Sequence, residues 1–191
     1  MTSYRLRLAT ASDAEAICRI YNQGIEDRVA TLETELRTPD ERRQWLASRS
    51  SRHPVIVAEP EGLSADAEPG RASLRPPSVQ AGLTVPATTI AWASLNVFNA
   101  RESYRFVADI SVYVERSWRG KGVGRALLEK LTELGRQHGF HKLVLSAFPD
   151  NAGGMALYAK SGFRTVGIYH EQGQLDGKWV DTIVMEKLLS V

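Results

Sequence analysis

Asp109 stands inside FVADISVYV, residues 106–114, an otherwise largely apolar run. Period-two alternation puts Asp109, Ser111 and Tyr113 on one face of a strand and Ile110, Val112 and Val114 on the other. A carboxylate in such a strand is costly unless it is paired with a neighbouring Arg or Lys or put to use. Put to use, it suits a general base. An alkylammonium with a pKa near ~10 leaves only about one molecule in a thousand neutral at pH 7, so an amine nucleophile gains from a positioned proton acceptor. Directly downstream, Gly120, Gly122 and Gly124 alternate with Arg119, Lys121, Val123 and Arg125. Glycine lets backbone approach a ligand closely. A strand that turns through glycines into a helix aims unpaired N–H groups and the positive end of the helix dipole at whatever lies above, and the cations add to that field. This is phosphate chemistry.

Two familiar phosphate loops do not fit. A Walker A loop needs Ser or Thr after its Gly-Lys, but Gly122 follows Lys121. A dinucleotide fingerprint starting at Gly120 needs a small residue where Arg125 stands, and it lies on a domain's first strand, whereas about four strands precede this turn. A glycine-rich turn without a ligand remains open from the pattern alone. No metal site is expected: Gly139 separates His138 from His141, and His53 and His170 have no companions. Cys18, the single cysteine, falls on the apolar side of a helix and reads as core. It can form no intramolecular disulfide, which suits a reducing cytoplasm.

The elements that must position these groups are legible from periodicity. Tyr4–Leu8 alternates as a strand; Thr10–Asp13 fits a capping box, and Ala14, Ile17, Ile20, Tyr21 and Gly24 then recur at helical spacing. Thr38, Pro39 and Glu41 open a second helix. Strands are expected at Val55–Ala58, Thr89–Val97 and Phe106–Val114, then a helix over Gly122–His138 ended by Gly139. A strand at Lys142–Ala147 and a short helix at Asn151–Lys160 follow. Phe163–Tyr169 and Val180–Lys187 should pair across the Asp176-Gly177 turn. Residues 60–88 hold five of the eight prolines with almost no periodicity, which predicts a long flexible insertion, either a lid or without function. The order β-α-α-β-β-β-α-β-α-β-β predicts one α/β domain over residues 1–191, a mixed sheet with helices on both faces.

Bulk properties narrow the class. At 191 residues the chain suits one core. Its 24 basic and 22 acidic residues nearly cancel, which argues against a general nucleic-acid binder. No apolar run nears membrane-spanning length and MTSYRLRLATASD has no signal-peptide pattern, so a cytoplasmic protein off the membrane is expected.

Arg119-Gly120-Lys121-Gly122-Val123-Gly124 resembles the (Gln/Arg)-x-x-Gly-x-(Gly/Ala) acyl-CoA signature of the GNAT superfamily of N-acetyltransferases, and Asn151–Phe163 resembles that fold's next block. YNQGIEDRVATLETE, NARESYRFVADISVYV and GQLDGKWVD are similar to blocks of its phosphinothricin and arsinothricin N-acetyltransferase branch. The resemblance implies the GNAT fold with a mostly antiparallel sheet, acetyl-CoA as co-substrate, a small-molecule amine as acceptor and a homodimer. It implies that residues 119–125 grip the diphosphate, that Val112 and Val114 lend main-chain groups to the pantetheine arm, and that a backbone N–H near Val112 polarises the carbonyl. Asn151 matches a residue that bonds that arm or a water, although Asn after Asp150 is also ordinary turn chemistry. Asp109 stands where the branch carries a glutamate base, one methylene shorter, which favours a bridging water. Tyr158 matches the general acid of many superfamily members, where the branch tends to carry histidine; packing is its other reading. Arg101 matches an arginine that binds the acceptor's anionic end, or is a solvated loop residue, and Tyr21 to Glu33 would wall the acceptor pocket. A protein N-terminus or another amine as acceptor, or a non-catalytic acyl-CoA-binding module, are the alternatives; Arg101 disfavours polyamines.

Overall fold

The computed structural model describes residues 3–61 and 89–189. Its strands are β1 (Tyr4–Leu8), β2 (Val55–Pro60), β3 (Ala91–Val97), β4 (Val107–Val114), β5 (Lys142–Ala147), β6 (Arg164–Leu175) and β7 (Lys178–Leu188). Its helices are α1 (Ala14–Glu26), α2 (Pro39–Ala47), α3 (Val123–Gln137) and α4 (Ala152–Lys160). The order matches the sequence reading, with short 3-10 turns added at Ala11–Asp13, Glu102–Tyr104 and Arg116–Trp118.

Local chemistry accounts for the boundaries. At α2 the Thr38 N–H donates to Glu41 Oε2 at 2.6 Å and the Glu41 N–H returns to Thr38 Oγ1 at 3.2 Å, the reciprocal box that the spacing predicts. Between β6 and β7, Asp176 and Gly177 both take positive φ, 50° and 78°, the type I′ geometry whose twist matches two antiparallel strands. That turn lets pairing run to its edge, so β6 extends to Leu175, well beyond the expected Tyr169. β2 likewise continues past Ala58 to Pro60, and Glu61 bonds back to the Ser3 carbonyl at 2.8 Å. The rest of the expected insertion, 62–88, lies outside the described residues.

The sheet runs β1-β2-β3-β4-β5-β7-β6, antiparallel everywhere except β4 against β5. Helix α3 buries Leu127, Leu128 and Leu131 against Ala93, Leu95 and Ile110 on one face. Helix α1 buries Ile17, Ile20 and Ile25 against Val55, Val57 and Trp92 on the other. Strand alternation separates the two cores, and each fully buried aliphatic side chain contributes roughly 1.5–3 kcal/mol.

One departure from regular pairing positions the site. β4 pairs with β5 only at Val107↔Lys142, Ala108↔Leu143 and Asp109↔Val144, and beyond Asp109 the two strands part. The Glu115 N–H donates to the Ile90 carbonyl at 2.9 Å, towards β3. By the alternation of an antiparallel ladder, Tyr113 and Ser111 also bond towards β3, while Ile110, Val112 and Val114 turn their peptide groups to the opened side.

Candidate active site

Below that opening the chain enters its glycine turn. Gly120 and Gly122 adopt φ of +74° and +86°, a region that side-chain-bearing residues rarely occupy, so these two glycines are required by the turn itself. Gly122 directly precedes α3, whose first internal bond runs from the Ala126 N–H to the Gly122 carbonyl at 3.2 Å. The N–H groups of Val123, Gly124 and Arg125 therefore have no partner within the helix. At Gly124 an added Cβ would stand 3.0 Å from Leu157 Cδ2 on α4, so that side chain would have to shift to make room for it.

A cavity of about 460 Å³ fills the gap between these elements. Of the residues singled out in the sequence, it brings together Val112, Val114, Arg119, Gly120, Gly122, Gly124, Arg125, Asn151 and Tyr158. Lys121 is not among its walls and lies over the Trp118 ring, 5.1 Å from the centroid. The Val123 side chain is buried in the α3 core, leaving its backbone to the turn. Val29 and Ala30, within the Tyr21 to Glu33 segment, also line the space, and sequence reasoning missed Gly153 and Gly154, which do so too. The doubled glycine after Asn151 was the available signal for a second bare helix start.

Asn151 shows its turn chemistry directly. Its Oδ1 accepts the Gly154 N–H at 2.9 Å, capping α4, and its Nδ2 donates to the Val29 carbonyl at 3.1 Å. Arg119 donates from Nε to the Val114 carbonyl at 3.2 Å and pairs with Asp27 at 2.8 Å. Arg125 pairs with Glu129 one helical turn on, at 2.8 Å.

Among the described residues Asp109 forms no ion pair with Arg or Lys and only one side-chain hydrogen bond, from the Asn96 amide at a long 3.4 Å, and it does not itself line the cavity. Burial pushes its carboxyl up to about 6, and the Asn96 bond opposes this only in part. Tyr158 packs edge-on against Phe163, with centroids 6.1 Å apart. Burial, and then the charge of Asp109, push its phenol up to about 12, so at neutral pH the group holds its proton. An acid near neutrality and a protonated phenol thus sense one another beside the strand opening.

On the α1 face, Tyr21 packs against Tyr113 at 4.9 Å and Trp92 at 6.1 Å, with the Arg42 guanidinium 3.9 Å above its ring. Glu33 accepts from Arg37 Nε at 2.7 Å. Neither Tyr21 nor Glu33 lines the cavity. Arg101 stands apart: it is exposed on the β3–β4 loop, its backbone N–H bonds Asn99 at 3.0 Å, and it does not line the cavity. Among the described residues no three His, Cys, Asp or Glu side chains gather at metal spacing, and no helix is long and apolar enough to cross a membrane.

Comparison with known proteins bears on this geometry. A sequence model described as the acetyltransferase (GNAT) family matches residues 35–163. YwnH of Bacillus subtilis (strain 168), provisionally named a phosphinothricin acetyltransferase, is 30% identical over 185 residues, covering 97% of this chain and 99% of its own. The crystal structure of a GNAT superfamily phosphinothricin acetyltransferase from Sinorhizobium meliloti in complex with AcCoA is similar at a TM-score of 0.81 and 27% identity, over 99% of this chain and 89% of that one. A ribosomal-protein-alanine N-acetyltransferase from Brucella melitensis is similar at 0.80 and 32% identity, over 97% and 99%. With the glycine turn, the parted strands and these full-length likenesses in agreement, the chain belongs to the acetyltransferase (GNAT) family and is an N-acetyltransferase.

Proposed function

We propose that the protein uses acetyl-CoA to acetylate the α-amino group of a small amino acid-like acceptor, of phosphinothricin, arsinothricin or methionine-derivative type, by direct transfer in a ternary complex. The observation that carries this reading is Asp109, a carboxyl raised to about 6 at the point where β4 leaves β5. The cavity suits the carrier: it has a bare helix start for phosphates, peptide groups of Val112 and Val114 turned to the open edge, and no Cβ at Gly124. Acetyl-CoA supplies an activated acetyl thioester. The N–H groups at residues 123–125, with Arg119 and Arg125, bind the diphosphate, and the Val112 N–H faces the acyl carbonyl oxygen. Asp109 takes the ammonium proton through a bridging water, its side chain being one methylene shorter than glutamate. Tyr158 holds its phenolic proton for the departing sulfur.

Cys18 offers no covalent relay, since it is buried and its thiol donates to the Arg37 carbonyl at 3.0 Å. On the acceptor side, outside the carrier cavity, Tyr21 and Glu33 form one wall, and Arg101 would have to be brought in from its exposed loop to meet the acceptor's anionic end. A single domain, a homodimer and a cytoplasmic location belong to the same reading, and sedimentation tests the second. A second reading, acetylation of a protein N-terminus, is favoured by the likeness to the Brucella enzyme. A thiol-release assay with acetyl-CoA separates them, using phosphinothricin, arsinothricin, methionine sulfoximine and a short peptide beginning with alanine. Turnover on the amino acids is expected; turnover on the peptide alone selects the second reading, and turnover on neither overturns both.

A further inference from the structure

Resting on the acetyl-CoA reading above, we infer that Asp27 is a positioning residue for the acyl-carrier loop: its carboxylate, at the end of α1, holds Arg119 in place before the diphosphate arrives. Asp27 and Arg119 are far apart in sequence, and α1 brings them together. Gly24 presses α1 against β4, since a Cβ there would lie 3.1 Å from the Tyr113 ring. From that platform Gln23 Oε1 accepts the Arg116 N–H at 2.9 Å, fixing the turn that leads into the glycines. Asp27 then accepts from Arg116 Nε and Nη2 at 3.0 and 2.7 Å, and forms an ion pair with Arg119, Nη1 lying 2.8 Å from Oδ2. The Val114 carbonyl takes Arg119 Nε at 3.2 Å. The guanidinium is thereby held from two sides, against the wall of the cavity that it lines.

By charge alone this arrangement is unfavourable. A carboxylate beside a diphosphate site repels the ligand, and Asp27 stays ionised because Arg116, and then Arg119, hold its carboxyl below the usual range. What it supplies in return is order. A free arginine loses rotamer freedom when it grips a ligand, and Asp27 imposes that loss in the unliganded protein. The two effects have opposite signs, so the sign of one substitution separates them.

The test is calorimetric titration of the full-length protein with CoA. Asp27→Asn removes the negative charge and the pair with Arg119; weaker binding, by roughly tenfold, is expected from losing a charge-assisted contact. In an Arg119→Ala background only the repulsion is left to remove, so the same substitution should no longer weaken binding and should tighten it slightly. Asp27→Glu keeps the charge and displaces the carboxylate, so it too should weaken binding, by less, and it serves if the Asn variant folds poorly. Unchanged or tighter binding by Asp27→Asn, with wild-type binding intact, overturns the positioning role and leaves the proposed function standing. Absence of CoA binding by the wild type removes the proposed function and this role with it.

Discussion

Asp13, at the start of α1, and Asp109, in the middle of β4, are two carboxylates taken largely out of water. Asp13 is completely buried, yet Arg7 grips both its oxygens at 2.7 and 2.8 Å, the Thr10 N–H donates at 2.7 Å and the Thr89 hydroxyl at 2.9 Å. Burial pushes its carboxyl up, and these donors, led by Arg7, more than reverse the push, so it lies below the ordinary range. Asp109 has one long bond from Asn96, and there burial wins. Burial alone therefore does not make a base. The fold has satisfied one acid and left the other wanting a proton, and the unsatisfied one stands where the sheet opens.

The largest effect is expected at Asp109. Asp109→Asn should lower turnover by about 10²–10⁴-fold, with CoA affinity unchanged, measured by thiol release and titration. In the wild type the same group should give kcat/KM an acid limb near pH 6, because the base must be deprotonated. The folded value lies above the ordinary 3.8, so ionising Asp109 costs the fold stability as pH rises through about 6. At pH 8 the Asn variant should therefore unfold at a higher temperature than the wild type, by up to about 3 kcal/mol in stability. An inactive but more stable protein marks a functional acid; an unchanged pH–rate profile removes Asp109 from the chemistry.

Asp13→Asn should reverse that pattern. It strips Arg7 of a buried partner, at a cost of about 3–5 kcal/mol in denaturant unfolding, while kcat per folded molecule holds. Because Asp13 is depressed in the fold, its stabilisation is present above the ordinary carboxylate range and is lost as pH falls through it. The two aspartates thus push stability in opposite directions with pH. Thermal scans of both variants across the acid range would expose a failure of either assignment.

Asp109 was legible because a charge interrupts an apolar strand, and Gly120 and Gly122 because glycines alternate with cations. The Arg7–Asp13–Glu59 cluster was not: Asp13 reads as an ordinary capping residue, and nothing in spacing joins it to Glu59 on β2. Asp27 and Arg119 meet only through α1 packing, which periodicity does not encode. The far half of β6, HEQGQL, holds no apolar side chain before Leu175, so no alternation marked it as strand; its length follows from the I′ turn. Arg101 came from resemblance alone, and it stands on an exposed loop away from the cavity.

The smallest effect tests the glycine turn without touching either aspartate. Gly122→Ala places a side chain at φ +86°, but its Cβ would meet nothing closer than the Tyr4 hydroxyl at 3.9 Å. The cost is therefore backbone strain alone, about 1–2 kcal/mol. Strain at the residue before α3 should tilt the N–H groups that face the diphosphate, raising KM for acetyl-CoA several-fold while kcat holds. The acid limb near pH 6 should not move, because it belongs to Asp109, which lies in β4 well before the turn. If kcat fell and the limb shifted with it, carrier binding and proton removal would not be separable, and the assignment of Asp109 as an independent base would fail.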